Sequence, residues 1–277
     1  MGLRINTNVG SLIAQRNLKK TNRNLNSSLN KLSSGQRITK AADDAAGLAI
    51  SENLKAQIRG MRQAKRNAGD AVSLVQTAEG GLSEISNIVI RLRELAVQAA
   101  SDTVGEQERG FTDIEFQQLK NEIDRISKSA EFNGIKLLDG TGGMLDFQIG
   151  TGNNPELDRL RYDTSANDAT LGALGLSAET VSTKEGAQST LKKLDDALVQ
   201  INGVRANLGA TQNRLQSAIN NLGISDENLS AANSRIRDVD VAEETAKLTK
   251  NNILIQAGAS VLSQANQFPN IALKLLG

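Results

Sequence analysis

From Leu194 onward, every seventh residue is leucine or isoleucine: Leu194, Ile201, Leu208, Leu215, Leu222, Leu229 and Ile236. A repeat of seven keeps one stripe of an α-helix turned toward a partner helix, and such a stripe is not satisfied alone. The interleaved positions are Leu198, Arg205, Gln212, Ile219, Asp226 and Asn233, so one edge of the seam is apolar and the other mixed. Polar residues at a seam edge fix register at a cost in stability. As one helix, residues 194–236 span roughly 65 Å at ~1.5 Å per residue, longer than an ordinary globular helix. A second seam starts at Leu54 and steps by four and three through Ile58, Met61, Lys65, Ala68, Val72, Val75, Glu79 and Leu82. Together these seams predict a mainly α chain, a long antiparallel coiled-coil rod built from its N- and C-terminal halves.

The composition fits helix seams better than a globular centre. The chain has no Cys, His or Trp, one Tyr and five Phe. The residue types that bury the most area are scarce, and Leu, Ile, Val and Ala supply the apolar surface. The absence of His and Cys removes the commonest metal ligands and the commonest general base. The expectation is therefore a chain that is not an enzyme and holds no cofactor or metal. Net charge is +1 but unevenly spread: residues 1–40 contain eight Lys or Arg and no Asp or Glu. A basic segment can meet nucleic acid or a membrane surface. No aromatic residue interleaves the charges as a base-stacking platform would, which favours a helical arm with a solvated basic face and no nucleic-acid partner. The opening residues lack the unbroken apolar run of a cleaved leader. No stretch reaches the ~20 apolar residues of a membrane span, so no membrane insertion is expected. A route out of the cell would have to be one without a cleaved leader.

Between the seams the period changes. Phe116, Leu119, Ile123 and Ile126 predict a helix near 106–128, and Thr112 to Glu115 has the form of a capping box, which places its start later. Asn133-Gly134 is a tight-turn pair. Alternation in "LDFQIG" and "DRLRYD", separated by "TGNNPE", predicts a β-hairpin at 144–149 and 158–163 that must lie on helices. The flanking "GTGG" and "GTG" lack the strand–glycine–helix order of a phosphate loop. At the ends, Leu18, Leu25, Leu29 and Leu32 form one stripe, closed by Gly35 as a helix C-cap. Val241, Leu248, Ile255 and Leu262 form another, and Pro269 is expected to interrupt that helix before an apolar tail. Seven Asn among residues 1–30 weaken the first stripe as a free-standing helix. Both stripes need partners, and each other and further copies are the obvious ones.

"ITKAADDAAGLAI" places Asp43 and Asp44 together among alanines. Paired carboxylates can form an acid/base pair, half a metal site or the charged start of a helix. No further oxygen ligands stand nearby, and carboxylates in a first turn favour the helix dipole. The pair reads as a helix start at a joint between an inner arm and an outer rod.

"INTN", "LSSGQRITKAADDAAGLAISENLKAQIRGM", "RLRELAVQAA" and "EIDRISKSAEFNGIKLLDG" resemble bacterial flagellin. So do "NLSAANSRIRDVDVAEET" and "ILIQAGASVLSQANQ" near the other end. The resemblance covers about residues 1–150 and 185–277. It implies a filament subunit in which 1–43 and 238–277 pair as an inner coiled coil. The rod is then 44–183, with a hairpin near 144–163, and 184–237. Leu18, Leu25, Leu29, Leu32, Val241, Leu248, Ile255 and Leu262 would carry polymerisation. Leu54, Ile58, Met61, Val72, Val75, Leu194, Ile201, Leu208, Leu215, Leu222 and Leu229 would form the rod seam. The partners implied are other copies or other flagellins in a helical polymer, a filament cap protein, a junction protein, an export chaperone and the flagellar type III export apparatus. The location implied is the extracellular filament. A hook–filament junction protein or another coiled-coil structural protein is the alternative. Only about twenty residues separate Asp163 from the C-terminal rod helix, so no variable outer domain is expected. The resemblance also points to an animal innate receptor for flagellin, with Arg91, Leu95 and Glu115 as its face. Ile90 stands where well-recognised flagellins often carry Gln.

Overall fold

The structure is a computed structural model that describes residues 7–274, with side chains described through residue 267. The first six and last three residues of the expected terminal arms lie outside it, as does part of the apolar tail. Five helices dominate: α1 (Val9–Ser34), α2 (Ala45–Ala99), α3 (Glu106–Ser129), α4 (Lys184–Arg237) and α5 (Val241–Lys274). Between α3 and α4 lie β1 (Glu131–Phe132), β2 (Ile135–Lys136), β3 (Met144–Gln148), β4 (Arg159–Asp163) and a 3-10 turn (Ser165–Asn167). No outer domain occupies residues 164–183. The chain divides into a terminal unit, residues 1–56 with 228–277, and a central unit, residues 57–227. These limits differ from the 43/44 and 237/238 boundaries read from the sequence. The start of α2 and the end of α4 bind one another inside the terminal unit: Ser51 Oγ donates to Asn233 at 2.7 Å, and the Arg237 guanidinium pairs with Glu52.

In the central unit, α2 presents an unbroken buried stripe through Ala68, Val75, Leu82, Ile85, Val89, Leu92 and Ala96. It packs in one core with Phe116 and Ile123 of α3 and with Leu194, Ile201, Leu208 and Leu215 of α4. The polar residues of the α4 seam edge make defined pairs. Arg205 meets Glu79 at 2.8 Å, and Asp226 meets Arg62 at 3.0 Å. A later position on α4 thus meets an earlier one on α2, which fixes the two helices antiparallel and in one register. Burial fades along the seam: Ile58 and Val75 are buried, whereas Leu54, Met61, Val72, Leu222 and Leu229 are half-buried.

The capping-box reading of Thr112 to Glu115 does not hold. Helix α3 already runs from Glu106, and the Thr112 hydroxyl donates back to Glu108 O at 3.0 Å, a mid-helix bond. Asp113 instead accepts from Val181 N and Thr180 Oγ1, both at 2.8 Å, which ties the loop before α4 to α3. Lys120 adds bonds to Ser177 O at 3.0 Å and Glu179 O at 2.8 Å. Burial lowers the Lys120 pKa against the opposing pull of Asp113 and Glu179. Burial acts to raise the Glu179 carboxyl, but bonds from Lys193 and Thr190 prevail and hold it below its ordinary value.

The turn at Asn133 (φ 50°) and Gly134 (φ 79°) joins β1 to β2 with two left-handed residues, as a two-residue hairpin requires. β3 and β4 pair antiparallel from Met144↔Asp163 to Gln148↔Arg159. Their inner face buries Leu160 and Tyr162 in the helical core, and Asn67 of α2 donates to Gln148 O at 3.2 Å.

Candidate functional site

The terminal unit contains the site the sequence singled out. Helix α1 starts at Asn8, whose side chain accepts from Ser11 N, and ends at Gly35 in the left-handed region (φ 69°). There the chain turns beside the start of α5, with Arg37 N donating to Arg237 O at 2.7 Å and Val239 N to Gly35 O at 3.1 Å. At the other end of the pair, Asn8 Nδ2 donates to Ala265 O at 2.7 Å, and Ser11 Oγ donates to Asn266 at 2.8 Å. The helices therefore run antiparallel. On α1 the facing positions are Ser11, Ala14, Leu18, Thr21, Leu25, Ser28 and Leu32. On α5 they are Glu244, Leu248, Asn251, Ile255, Gly258, Leu262 and Ala265. Both series alternate steps of three and four.

These seams mix large and small residues. A Cβ at Gly258 would lie 3.0 Å from Leu18 Cδ1, so the absent side chain is what admits the leucine. The most buried residues of α1 are Ser11, Ala14 and Ser28, while Leu18, Leu25 and Leu32 are half-buried, as are Leu248, Ile255 and Leu262. Leu29 and Val241 leave the expected stripe. Leu29 sits beside the facing positions Leu25, Ser28 and Leu32 and is 47% exposed. Val241 is the first residue of α5, level with the point where α1 ends at Gly35, and is 62% exposed. One carboxylate is buried in the seam. Glu244 is 6% exposed, and a bond from Ser28 lowers its pKa, burial opposing and Lys247 and Lys31 assisting.

Asn8 answers a second expectation. Pro269 does not interrupt α5, which continues to Lys274. A proline has no backbone N–H, so the carbonyl four residues earlier, Ala265 O, loses its helical donor. Asn8 Nδ2 takes that place. One side chain thus caps α1 and satisfies the gap in α5.

Outside the seam, the terminal pair exposes Val9, Leu12 and Ile13 on α1 and Ile253, Leu254 and Val261 on α5. Val241, Ala246, Ile253 and Leu254 line a shallow, mostly apolar concavity on α5.

Asp43 and Asp44 serve different turns. Asp43 Oδ2 accepts from Thr39 N at 3.1 Å, Thr39 Oγ1 at 2.9 Å and Lys40 N at 3.1 Å; the Thr39 hydroxyl bond does most to lower its pKa. Asp44 immediately precedes α2 and accepts from Gly47 N at 2.8 Å. Among the described residues no group of three Asp or Glu is placed to hold a metal ion, and no helix is long and apolar enough to cross a membrane.

Of the three residues expected on a receptor face, the structure brings two together. Arg91 of α2 and Glu115 of α3 form an exposed pair at 2.9 Å, with Glu94 at 3.0 Å from the same guanidinium. Leu95 is a correction. It is 2% exposed and part of the central core, because it falls beside Leu92 and Ala96 on the buried stripe.

The sequence reading missed three features. The α2 seam does not stop at Leu82: Val89 and Ala96 continue its seven-residue series, while Ile85 and Leu92 lie on the adjoining row, three residues after Leu82 and Val89. Ser11, Ala14 and Ser28 share the stripe of the leucines but are small. The role of Asn8 depends on a residue 257 positions away, for which no local pattern exists.

Residues 5–142 match the family described as the bacterial flagellin N-terminal helical region, and residues 191–276 match the bacterial flagellin C-terminal helical region. The chain is 46% identical over 274 residues to the flagellin of Halalkalibacterium halodurans, covering 98% of this chain and 99% of that one. It is 44% identical over 303 residues to the flagellin of Bacillus subtilis, covering 99% and 100%. It is 41% identical over 288 residues to the flagellar filament 33 kDa core protein of Treponema phagedenis, covering 98% and 99%. The crystal structure of Bacillus cereus flagellin is similar at a TM-score of 0.51 and 33% identity, over 57% of this chain and 88% of that one. Two family matches and near-full-length identity to flagellins place the chain in the bacterial flagellin family.

Proposed function

We propose that this chain is the structural subunit of a bacterial flagellar filament, an extracellular polymer of this chain alone or with other flagellins, and that it has no enzymatic activity. The observation that carries the reading is the incomplete burial of the α1–α5 pair. Its deepest positions hold serine, alanine and a carboxylate, its seam leucines are half-buried, and Val9, Leu12, Ile13, Ile253, Leu254 and Val261 face outward. Helices that bury so little are marginal by themselves. Neighbouring copies would cover the outward residues, and the free energy of ordering α1 and α5 would then be offset by assembly. A contact between unlike surfaces does not close on itself, so it extends into a polymer. The reading includes passage through the flagellar type III export apparatus under an export chaperone, then addition beneath a cap protein above a junction protein. It also includes an innate-receptor face centred on Arg91 and Glu115 rather than on Leu95.

Negative-stain electron microscopy of purified chain, incubated with and without sheared filament seeds, tests it. Long uniform tubes support the subunit reading. Short rings, or no growth on competent seeds, contradict it and favour the junction protein or another coiled-coil protein.

A further inference from the structure

Asn-Gly occurs twice in the chain, at Asn133-Gly134 and at Asn202-Gly203. All four residues are exposed, and neither asparagine side chain has a hydrogen-bond partner among the described residues. A Cβ built at either glycine would meet nothing within 4 Å, so crowding does not separate the two pairs. Their backbones do. Asn133 and Gly134 form the two-residue tip between β1 and β2, both with positive φ. Gly134 N makes no backbone hydrogen bond among the described residues. Asn202 and Gly203 lie inside α4, where the Gly203 N–H is a rung of the helical ladder. Ile201 and Leu208, both buried, hold that stretch of α4 on the core. An asparagine carboxamide is an electrophile, and the next residue's amide nitrogen can close a five-membered ring on it. Glycine, without a Cβ, leaves that nitrogen open to approach. Ring closure requires the peptide between the two residues to rotate until the nitrogen meets Cγ. At the tip this rotation costs Gly134 no hydrogen bond. In α4 it requires a core-packed helix to open first.

We propose that Asn133 is a site of spontaneous deamidation and isomerisation, with water as the sole co-reactant, and that α4 protects Asn202 from the same chemistry. Hydroxide takes the proton from Gly134 N. The bond from that nitrogen to Asn133 Cγ forms, the bond from Cγ to the side-chain nitrogen breaks, and the side-chain nitrogen takes a proton from water and leaves as ammonia. Water then opens the succinimide ring. Attack at Cγ restores the original main chain and leaves an aspartate. Attack at the main-chain carbonyl leaves the chain running through Cγ, an isoaspartate. One water is consumed and one ammonia released, with no change in oxidation state. Both products place a carboxylate two residues from Glu131, which pairs with Lys136 at 2.7 Å. Aspartate tolerates the left-handed conformation and keeps the turn. Isoaspartate adds a main-chain atom to a turn whose length sets the register Phe132↔Ile135 and Glu131↔Lys136. That register leads directly into Leu137, whose N–H donates to Ala130 O at 3.1 Å and whose side chain, with that of Leu138, is fully buried. The isoaspartate form therefore loosens the join between the hairpin and the central core.

Purified full-length chain is incubated at mildly alkaline pH, folded in buffer or unfolded in concentrated urea. Peptide mass spectrometry with electron-transfer fragmentation then follows both asparagines and separates aspartate from isoaspartate. In the folded chain Asn133 is expected to convert at least about tenfold faster than Asn202, because the second site waits on helix opening. In urea both are expected to convert at similar rates, since the two dipeptides are the same once the fold is gone. An Asn133 that stays intact in the folded chain while converting in urea overturns the proposal, because the turn then protects it. Equal rates at the two sites in the folded chain overturn it as well, because the dipeptide alone then decides. So does an Asn133 that fails to convert even in urea. Hydrogen exchange reads the consequence. The Asn133→Asp variant, which gains the charge without the added main-chain atom, is expected to keep the slow exchange of the Leu137 amide, and the isoaspartate fraction of the aged chain is expected to lose it. Unchanged protection of Leu137 in that fraction overturns the loosening of the hairpin.

Discussion

The central and terminal units use the same heptad spacing to different ends. In the central unit the seam positions are large and fully enclosed: Leu194, Ile201, Leu208 and Leu215 meet the unbroken stripe of α2 and the side chains of α3. In the α1–α5 pair of the terminal unit the enclosed positions are Ser11, Ala14, Ser28 and Glu244, and the seam leucines remain half-covered. A heptad pattern shows which face of a helix seeks a partner, but the size and polarity of the seam residues decide whether one partner is enough. The central unit has a core of its own. The terminal unit has a register, set by Asn8, Ser11, Gly258 and the Ser28–Glu244 bond, but little core.

The sharpest way to break the comparison is to disturb each seam in turn. Leu262→Asp is expected to abolish tube formation while leaving the far-ultraviolet dichroism of the central unit unchanged; tubes that still form would show that α5 does not need this face. Next is Leu208→Ala, which leaves a void in an enclosed core and is expected to cost about 2–5 kcal/mol in urea unfolding of the monomer. Its counterpart in the terminal unit is Ile255→Ala, at a half-buried position with no enclosed core to lose. That change is expected to alter monomer unfolding by less than about 1 kcal/mol and to act on filament stability instead.

Smaller effects sharpen the account of the terminal unit. Asn8→Ala removes the α1 cap and the donor to Ala265 O together, and is expected to destabilise the assembled pair by about 1–2 kcal/mol, read as a lower filament dissociation temperature. Glu244 gives a pH signature. Its carboxyl is held below its ordinary value in the folded pair, so its contribution is complete above the unfolded value and is lost as pH falls through the lower, folded one. Filaments are therefore expected to loosen as pH drops below about 4.5, and Glu244→Gln, which keeps a hydrogen-bonding side chain, is expected to flatten that dependence. Identical acid titration of both filaments, followed by light scattering, would remove Glu244 from the account.

Much of this was readable in the residues because helix seams are periodic. The series from Leu194, the alternation of the 144–163 hairpin, the Asn133-Gly134 turn and the Gly35 cap each follow from spacing or from a backbone conformation that few residue types adopt. Features set by tertiary partners were not readable. Thr112 to Glu115 has the letters of a capping box, yet Asp113 serves a loop beyond residue 170. Pro269 breaks a helix in isolation, yet Asn8 supplies the bond it removes. Leu95 has the spacing of the buried stripe, and it packs in the central core. On α1, the pattern of leucines concealed that the smaller residues on the same stripe are the most buried.

If α1 and α5 gain their stability from neighbouring copies, their backbone protection must depend on assembly. Hydrogen exchange measured residue by residue in monomer and in filament tests this most directly. Slow exchange is expected at Leu82, Leu92, Ile201 and Leu208 in both states. Fast exchange is expected at Leu18, Leu25, Leu248 and Ile255 in the monomer, becoming slow in the filament. Equal protection of those last four amides in monomer and filament would contradict the dependence of the terminal pair on its neighbours.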